Sequence, residues 1–408
     1  MKRKTKALPL LLTVLFVAFY AHCGRDHSSA GDAGEPQVHR TVVMSGLSNP
    51  WDLAFAQDEA MLFTEKCRGL SVRLPDGTVR FLFGSAGALL EADDFFCQGQ
   101  SGMLGVAVDP AFAQNRFVYV FMASKADGMK TNRVVRLTLD EAYTAVFDRT
   151  DLIADIPYKQ SLNRWGLAGA HSGGRLRFSP FDGYLYVATG DNHDGPLPQD
   201  LSRLGGKVLR VDRDGHAAPG NNTPAGGDPR IFTYGHRNVQ GIAFRPGTGR
   251  PFACEHGPGH NDEVTPLVPG GNGGWDPSPM PGVSCMNGYC GYISNNPEGK
   301  PTPMTDLARF PNALRPSWNN HGDSEGMGPC VFLEGPRWKA WEGRLAVGFL
   351  RGARIELLHL DVNDMTMKAS VIPDLPRQRM RSLVLGLDGA LYVAIDKGEI
   401  WRLESAAR

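Results

Sequence analysis

The stretch LRFSPFDGYLYVATGD, residues 176–191, decides the fold. An apolar segment runs into a turn built on Ser, Pro, Asp and Gly, and a second segment rich in Leu, Tyr and Val follows at once. Pro and Gly punctuate the backbone at the turn, and the aromatic and β-branched residues that follow suit a pleated strand. Two such runs joined by a short turn read as antiparallel neighbours.

The same pattern recurs along the chain. It appears as WDLAFAQDEAMLFTE from Trp51, LGVAVDPAFAQNRFVYVFM from Leu104, IAFRPGTGRPFACEHG from Ile242, GPRWKAWEGRLAVGFLRG from Gly335 and LVLGLDGALYVAIDKGEIWRL from Leu383. The second strands are expected to begin near Leu62, Val118, Leu185, Phe252, Leu345 and Leu391. Each step is long enough for about four short strands. Six units of this size predict an all-β, six-bladed β-propeller with long loops over one face, because a closed ring of blades leaves no exposed sheet edge. A tandem pair of β-sandwiches is the structural alternative. The Gly-, Pro- and Asn-rich stretch from Pro269 to Pro329 is expected to be an elaborated loop, and such loops on a rigid scaffold commonly build sites.

Composition agrees with this reading. The 408 residues hold 49 Gly and 29 Pro, and 42% are hydrophobic against 21% charged. That supplies a core, many turns and little room for long helices. The 43 Lys and Arg balance 43 Asp and Glu, which removes bulk-charge attraction to nucleic acid from consideration.

The chain opens with Lys2, Arg3, Lys4 and Lys6, then a short apolar run to Tyr20. This is the charged and apolar pattern of an export signal, and the run falls short of the roughly 20 residues a membrane-spanning helix needs. Residues 1–23 are therefore read as a signal peptide. Cys23 stands where a bacterial lipoprotein is cleaved and acylated, although Tyr20 and His22 fit that pattern poorly. Export to the periplasm, or to the outer membrane through lipid on Cys23, is the expected location. Residues 24–40 have little to bury and read as a flexible tether, with the propeller domain spanning 41–408. The remaining cysteines, Cys67, Cys97, Cys254, Cys285, Cys290 and Cys330, form an even set with room for three disulfides. Cys285 and Cys290 are close enough in sequence to shut a short loop; the other pairings stay open.

No GxGxxG after a strand, no GxxxxGK[ST], no GxSxG and no HExxH occurs. His256 and His260 are four apart, but Gly257-Pro258-Gly259 between them cannot hold the helix that would align them, so zinc is not expected.

Four polar segments remain: AHSGGRL from Ala170, GDN from Gly190, YGHRNVQG from Tyr234 and EHGPGHNDE from Glu255, with GGKVLR from Gly205 among them. Together, in this order and spacing, they resemble the soluble glucose/sorbosone dehydrogenase family, quinoproteins that use pyrroloquinoline quinone (PQQ) and calcium. The resemblance covers residues 41–405. It implies that His171 is the general base toward a sugar's anomeric hydroxyl, a task suited to imidazole. Asp191 would hold the other ring nitrogen of His171. Arg237 and Asn238 would contact PQQ, with Arg379 and Arg381 from RQRMRSL and Arg351 from FLRGARI, where the family more often has Lys. Guanidinium forks suit the cofactor's three carboxylates. Backbone carbonyls of Gly257 and Pro258 would bind Ca2+, since hard cations take oxygen ligands. Asp262 and Glu263 would support that loop or a second calcium, with a plain surface acidic pair as the alternative. Gln100 matches a sugar-contacting position.

Two departures bear on substrate. Ala170 stands where the best-known glucose-oxidising member has an acid, and the loop from Gly270 to Pro329 departs from the family pattern, with Trp318 and Tyr289 as its candidates for the sugar site. The implied activity is oxidation of aldoses, with electrons passed to a quinone or cytochrome acceptor. Two other readings stay open. One is a non-enzymatic propeller that binds a protein or glycan. The other is a calcium-dependent lactonase, which would need acidic ligands and an Asn around a central ion, for which only Asn238 and Asp262 are on offer.

Overall fold

The computed structural model describes residues 34–405, apart from 127, 161–165 and 298. The proposed signal, Cys23 and the first part of the tether lie outside the described residues. The rest forms six sheets that follow one another in chain order, antiparallel except for a short parallel edge pair in the first and third. Their innermost strands are Pro50–Phe55, Met103–Val108, Gly173–Phe178, Val239–Phe244, Met327–Phe332 and Met380–Leu385. Each touches the next around a closed ring, so the architecture is a six-bladed β-propeller. Closure is made by Val38–Met44, which adds antiparallel to Glu399–Ser405 of the last blade.

The second strand of every blade falls where the repeat places it: Met61–Glu65, Phe117–Ala126, Leu185–Thr189, Pro251–Glu255, Leu345–Phe349 and Leu391–Ile395. Most are buried on both faces, as in MLFTE and LAVGF, because each blade is packed between two others. That is why these segments read as apolar runs more than as strict alternation.

Three boundaries differ from expectation. Val38, His39 and Arg40, read as tether, belong to the closing strand; its partner lies at the other end of the sequence, and its mixed polar character gives no local signal. In the fifth blade the inner strand is Met327–Phe332, not the segment from Gly335. Pro336–Trp341 is instead a 3-10 helix that buries Trp338 and Trp341, with Pro336 at its start, where a missing N–H costs nothing. Pro329, taken as the end of the long loop, is inside that inner strand. The strand pairing shifts register between Met327 and Cys330, and such a bulge tolerates a residue with no N–H. The long excursion also contributes strands to two blades, Gly271–Asn272 to the third and Trp318–Asn319 to the fourth.

Of the three disulfides that the cysteine count allows, two are present among the described residues, Cys67–Cys97 and Cys285–Cys290. Cys254 and Cys330 are free thiols buried in one apolar cluster, where desolvation pushes the Cys254 thiol well above its ordinary pKa.

Candidate active site

Inner strands begin, and second strands end, on the same face of the ring. A cavity of about 630 Å³ opens there at the axis, with Trp51, Leu104, Gly173 and Gln240 among its lining residues. The loops at those strand ends supply its chemistry.

His171 sits in the loop entering the third blade, in the left-handed backbone region, with φ 51°. Its Nδ1 lies 2.6 Å from Asp191 Oδ1. Asp191 follows the second strand of the same blade, and the approach depends on Gly190, where a Cβ would stand 2.1 Å from the His171 carbonyl oxygen. The Asp191 carboxylate is wholly buried and fully used. Trp275 Nε1 and the Tyr289 hydroxyl each donate to Oδ2 at 2.9 Å, and the His193 amide donates to Oδ1 at 3.0 Å. Asp191 therefore accepts Nδ1–H and leaves His171 Nε2 as the basic nitrogen. Gln100 Oε1 accepts from the His171 amide at 3.2 Å, fixing the backbone of that residue. Burial, with Arg237, His256 and Lys159 close by, holds the His171 imidazole well below its ordinary pKa, so it stays neutral and able to take a proton.

Arg237 and Asn238 stand at the entrance to the fourth blade and are tied to the His171 loop. The Arg237 carbonyl accepts from the Asp191 amide at 2.7 Å, and Asn238 Oδ1 accepts from the Gly173 amide at 3.2 Å. Behind them, Glu255 accepts from both backbone amides, of Arg237 and of Asn238, and holds His236 Nδ1 at 3.0 Å. The Arg237 guanidinium donates to the His256 carbonyl at 2.5 Å and to the Tyr292 hydroxyl at 2.8 Å, while its buried Nε has no partner among the described residues.

Arg351, Arg379 and Arg381 reach the same cavity from the fifth and sixth blades. Arg379 and Arg381 both pair with Asp396, and Arg351 donates to the Ser324 carbonyl at 3.3 Å. Lys66, from the first blade, was missed by the sequence reading. It lines the cavity, donates to the Gly99 carbonyl at 2.7 Å, and has its pKa lowered by burial and by the neighbouring Arg381. The Cys67–Cys97 disulfide ties its turn to the segment that carries Gln100. Thus Lys66, Arg237, Arg351, Arg379 and Arg381 face one cavity, and among the described residues that line it Asp396 is the only carboxylate. That surplus of cations, with an orphaned guanidinium nitrogen, fits a planar ligand carrying several carboxylates.

Gly257 lines the cavity too, and its amide donates to Asp262 Oδ1 at 2.8 Å. Asp262 does not line the cavity; it also accepts from Ser324 Oγ and the Glu325 amide, and so braces the loop from behind. Among the described residues, neither the Gly257 nor the Pro258 carbonyl takes a hydrogen bond, and no group of three or more His, Cys, Asp or Glu is placed to hold a metal. The lactonase arrangement is not formed, since Asn238 and Asp262 are committed to separate backbone groups. Glu263 faces Thr305, not the cavity.

The sequence reading also missed His193, Tyr292 and Trp275, and it weighed His256 only as a zinc ligand. His256 lines the cavity, and burial together with Arg237, Arg381 and Arg379 pushes its pKa down to about 3. Tyr289 is buried behind the cavity, bonded to Asp191 in place of a substrate, and Trp318 packs on Phe349 away from it. Such contacts come from the long excursion, which has no repeat to betray its path. The Cys285–Cys290 pair within it was the one legible signal.

Comparison with known proteins gives a consistent result. Residues 47–402 match the family model described as Glucose / Sorbosone dehydrogenase. The chain is 28% identical over 384 residues to aldose sugar dehydrogenase YliI of Escherichia coli strain K12, covering 92% of this chain and 95% of that protein. It is 30% identical over 296 residues to quinoprotein glucose dehydrogenase B of Acinetobacter calcoaceticus, covering 66% of this chain and 58% of that one. Among solved structures, the PQQ-bound form of aldose sugar dehydrogenase from Streptomyces coelicolor superposes with a TM-score of 0.69 at 25% identity, covering 91% of this chain and 99% of that chain.

Proposed function

The chain belongs to the glucose/sorbosone dehydrogenase family, and from that premise we propose that it is a PQQ- and calcium-dependent dehydrogenase that oxidises aldoses to lactones. The observation that carries this reading is the pairing of a buried His171–Asp191 dyad with a cavity of surplus cations. PQQ, when bound, supplies a two-electron oxidant that accepts hydride from carbon.

The chain's own residues do the rest. His171 Nε2 accepts the proton of the anomeric hydroxyl, and Asp191, held by Trp275 and Tyr289, steadies the imidazolium that results. Gln100 reaches the substrate side of the cavity beside the base. Arg237, Asn238, Arg351, Arg379, Arg381 and Lys66 would hold the cofactor, with the guanidinium groups binding its carboxylates. The carbonyls of Gly257 and Pro258 would bind Ca2+, whose charge would polarise a carbonyl of the cofactor. Electrons would leave to a quinone or cytochrome acceptor. The charged and apolar leader supports export, to the periplasm or, through lipid on Cys23, to the outer membrane.

Reconstitution is the direct test. The purified domain with PQQ and calcium is expected to reduce an artificial dye when given aldoses, and to need both additions. Tight PQQ binding with no turnover on any aldose would overturn the substrate class. Failure to bind PQQ would overturn the quinoprotein reading and favour a propeller that only binds a protein or glycan.

A further inference from the structure

His193 has one ring nitrogen without a hydrogen-bond partner among the described residues. It follows Asp191 and Asn192 at the end of the second strand of the third blade, in the left-handed region with φ 55°. Its ring lies against that of His171, with centroids 3.8 Å apart, and lines the same cavity. The side chain is almost wholly buried. Nε2 is 2.8 Å from the Tyr292 hydroxyl. Nδ1 is buried with no hydrogen-bond partner among the described residues. A buried orphan of this kind calls for a partner from outside the chain.

The surroundings of Nδ1 show why the chain does not supply one. Gly166 also lines the cavity, and a Cβ on it would stand 2.5 Å from Nδ1 and 3.0 Å from the Ala170 methyl. The space beside this nitrogen is therefore kept by a missing side chain and bordered by an apolar one. The tautomer follows from the neighbours. With Arg237 donating to the Tyr292 oxygen at 2.8 Å, the tautomer that fits is the one in which Nε2 accepts from Tyr292. The ring proton then sits on Nδ1, which is a donor. Burial and the nearby His171, Arg237 and Lys159 push the His193 pKa down to about 2, so the ring is a neutral, fixed donor.

We infer that His193 is a specificity-determining residue whose Nδ1–H donates to the hydroxyl on the carbon next to the reacting one, the C2 hydroxyl of an aldose. The inference rests on the proposed aldose oxidation, with His171 at the anomeric hydroxyl. A group packed against the base reaches the neighbouring carbon first, and of the anomeric carbon's two ring neighbours only C2 bears a hydroxyl. The substrate class is narrowed to aldoses with an unblocked C2 hydroxyl, over 2-deoxy sugars and simple alcohols.

The test compares the best aldose of the wild-type holoenzyme with its 2-deoxy counterpart, in wild type and in His193→Phe. Wild type is expected to favour the full sugar by roughly tenfold or more in kcat/KM. His193→Phe is expected to bring that ratio close to one, mostly through KM, with PQQ absorbance per protein unchanged. His193→Asn, which keeps a donor, is expected to restore part of the preference and covers the case in which Phe disturbs folding. A ratio unchanged in both variants overturns the inference, as does a loss of discrimination at C3 or C6 in place of C2. Wild type inactive on every aldose overturns the underlying activity instead, so the two failures are distinct.

Discussion

Two groups of charges lie near the propeller axis and differ in one respect. In the first, Asp52 is wholly buried and receives everything around it. Arg175 pairs with it, Arg177 binds it with two nitrogens at 2.8 and 2.9 Å, Ser382 Oγ donates at 2.7 Å and the Val106 amide at 3.2 Å. Arg175 also donates to the carbonyls of Gln240 and Arg381 and covers Trp51. This knot joins several blades. Burial alone would raise the Asp52 pKa, but the two guanidinium groups win and it is lowered. In the second group, the cavity above Trp51, Lys66 and four arginines meet only Asp396 among the described lining carboxylates, with Asp191 and Glu255 standing behind Arg237. The residue types are the same. Where charge and hydrogen bonds close on themselves the arrangement is structural, and where cations are left over a ligand completes it.

The sharpest way to break this contrast is Asp52→Ala. It strands two guanidinium groups, one of them fully buried, and should cost about 3–5 kcal/mol of stability. Chemical denaturation measures it, and a loss below about 1 kcal/mol would mean that the knot is not structural. Next in size, His171→Ala should lower turnover by about 10²–10⁴-fold in the reconstituted enzyme while PQQ affinity holds. Wild-type turnover in that variant would remove His171 from the chemistry.

Lys66→Met tests the cavity from the other side. It removes a cation from a site with too many, so PQQ affinity should fall roughly tenfold while thermal stability stays level or rises. A stability loss comparable to that of Asp52→Ala would make Lys66 a structural residue like Asp52.

The smallest effect concerns Glu263, a buried carboxylate outside both groups. Desolvation, aided by Glu255 and Asp262, raises its pKa from an ordinary 4.5 to about 8 against the hydrogen bond from Thr305. The folded state then binds a proton that the unfolded state has released, so this residue's contribution is present below about pH 4.5 and is lost as pH rises toward 8. Glu263→Gln should match wild type at pH 5 and be more stable at pH 8. Parallel stability curves for the two proteins across that window would show that Glu263 titrates normally.

Much of the site was legible because the loops that carry it are short and follow recognisable strands. AHSGGRL gave His171, GDN gave Asp191, and YGHRNVQG gave Arg237 and Asn238; the structure brings all four to one place. Lys66 was not legible. It sits alone in TEKCRG, and only its position after a second strand, the place that also supplies Asp191, His256, Arg351 and Asp396, could have marked it. His193, Tyr292 and Trp275 were illegible for a different reason. Their roles depend on how residues 275–292 fold back over the third blade, which no period in the sequence encodes.

The sequence by itself determined the ring of blades, since apolar runs and turn residues act locally and repeat. It also determined which side chains were available for proton transfer and anion binding. Only the tertiary structure decided which charges are spent and which are spare. Ser382 and Asp52, bonded at the axis, are 330 residues apart in the chain, and Arg237 meets Tyr292 across 55. Whether an arginine is neutralised depends on a partner from another blade, and in a closed propeller that partner is chosen by ring geometry, not by proximity along the chain.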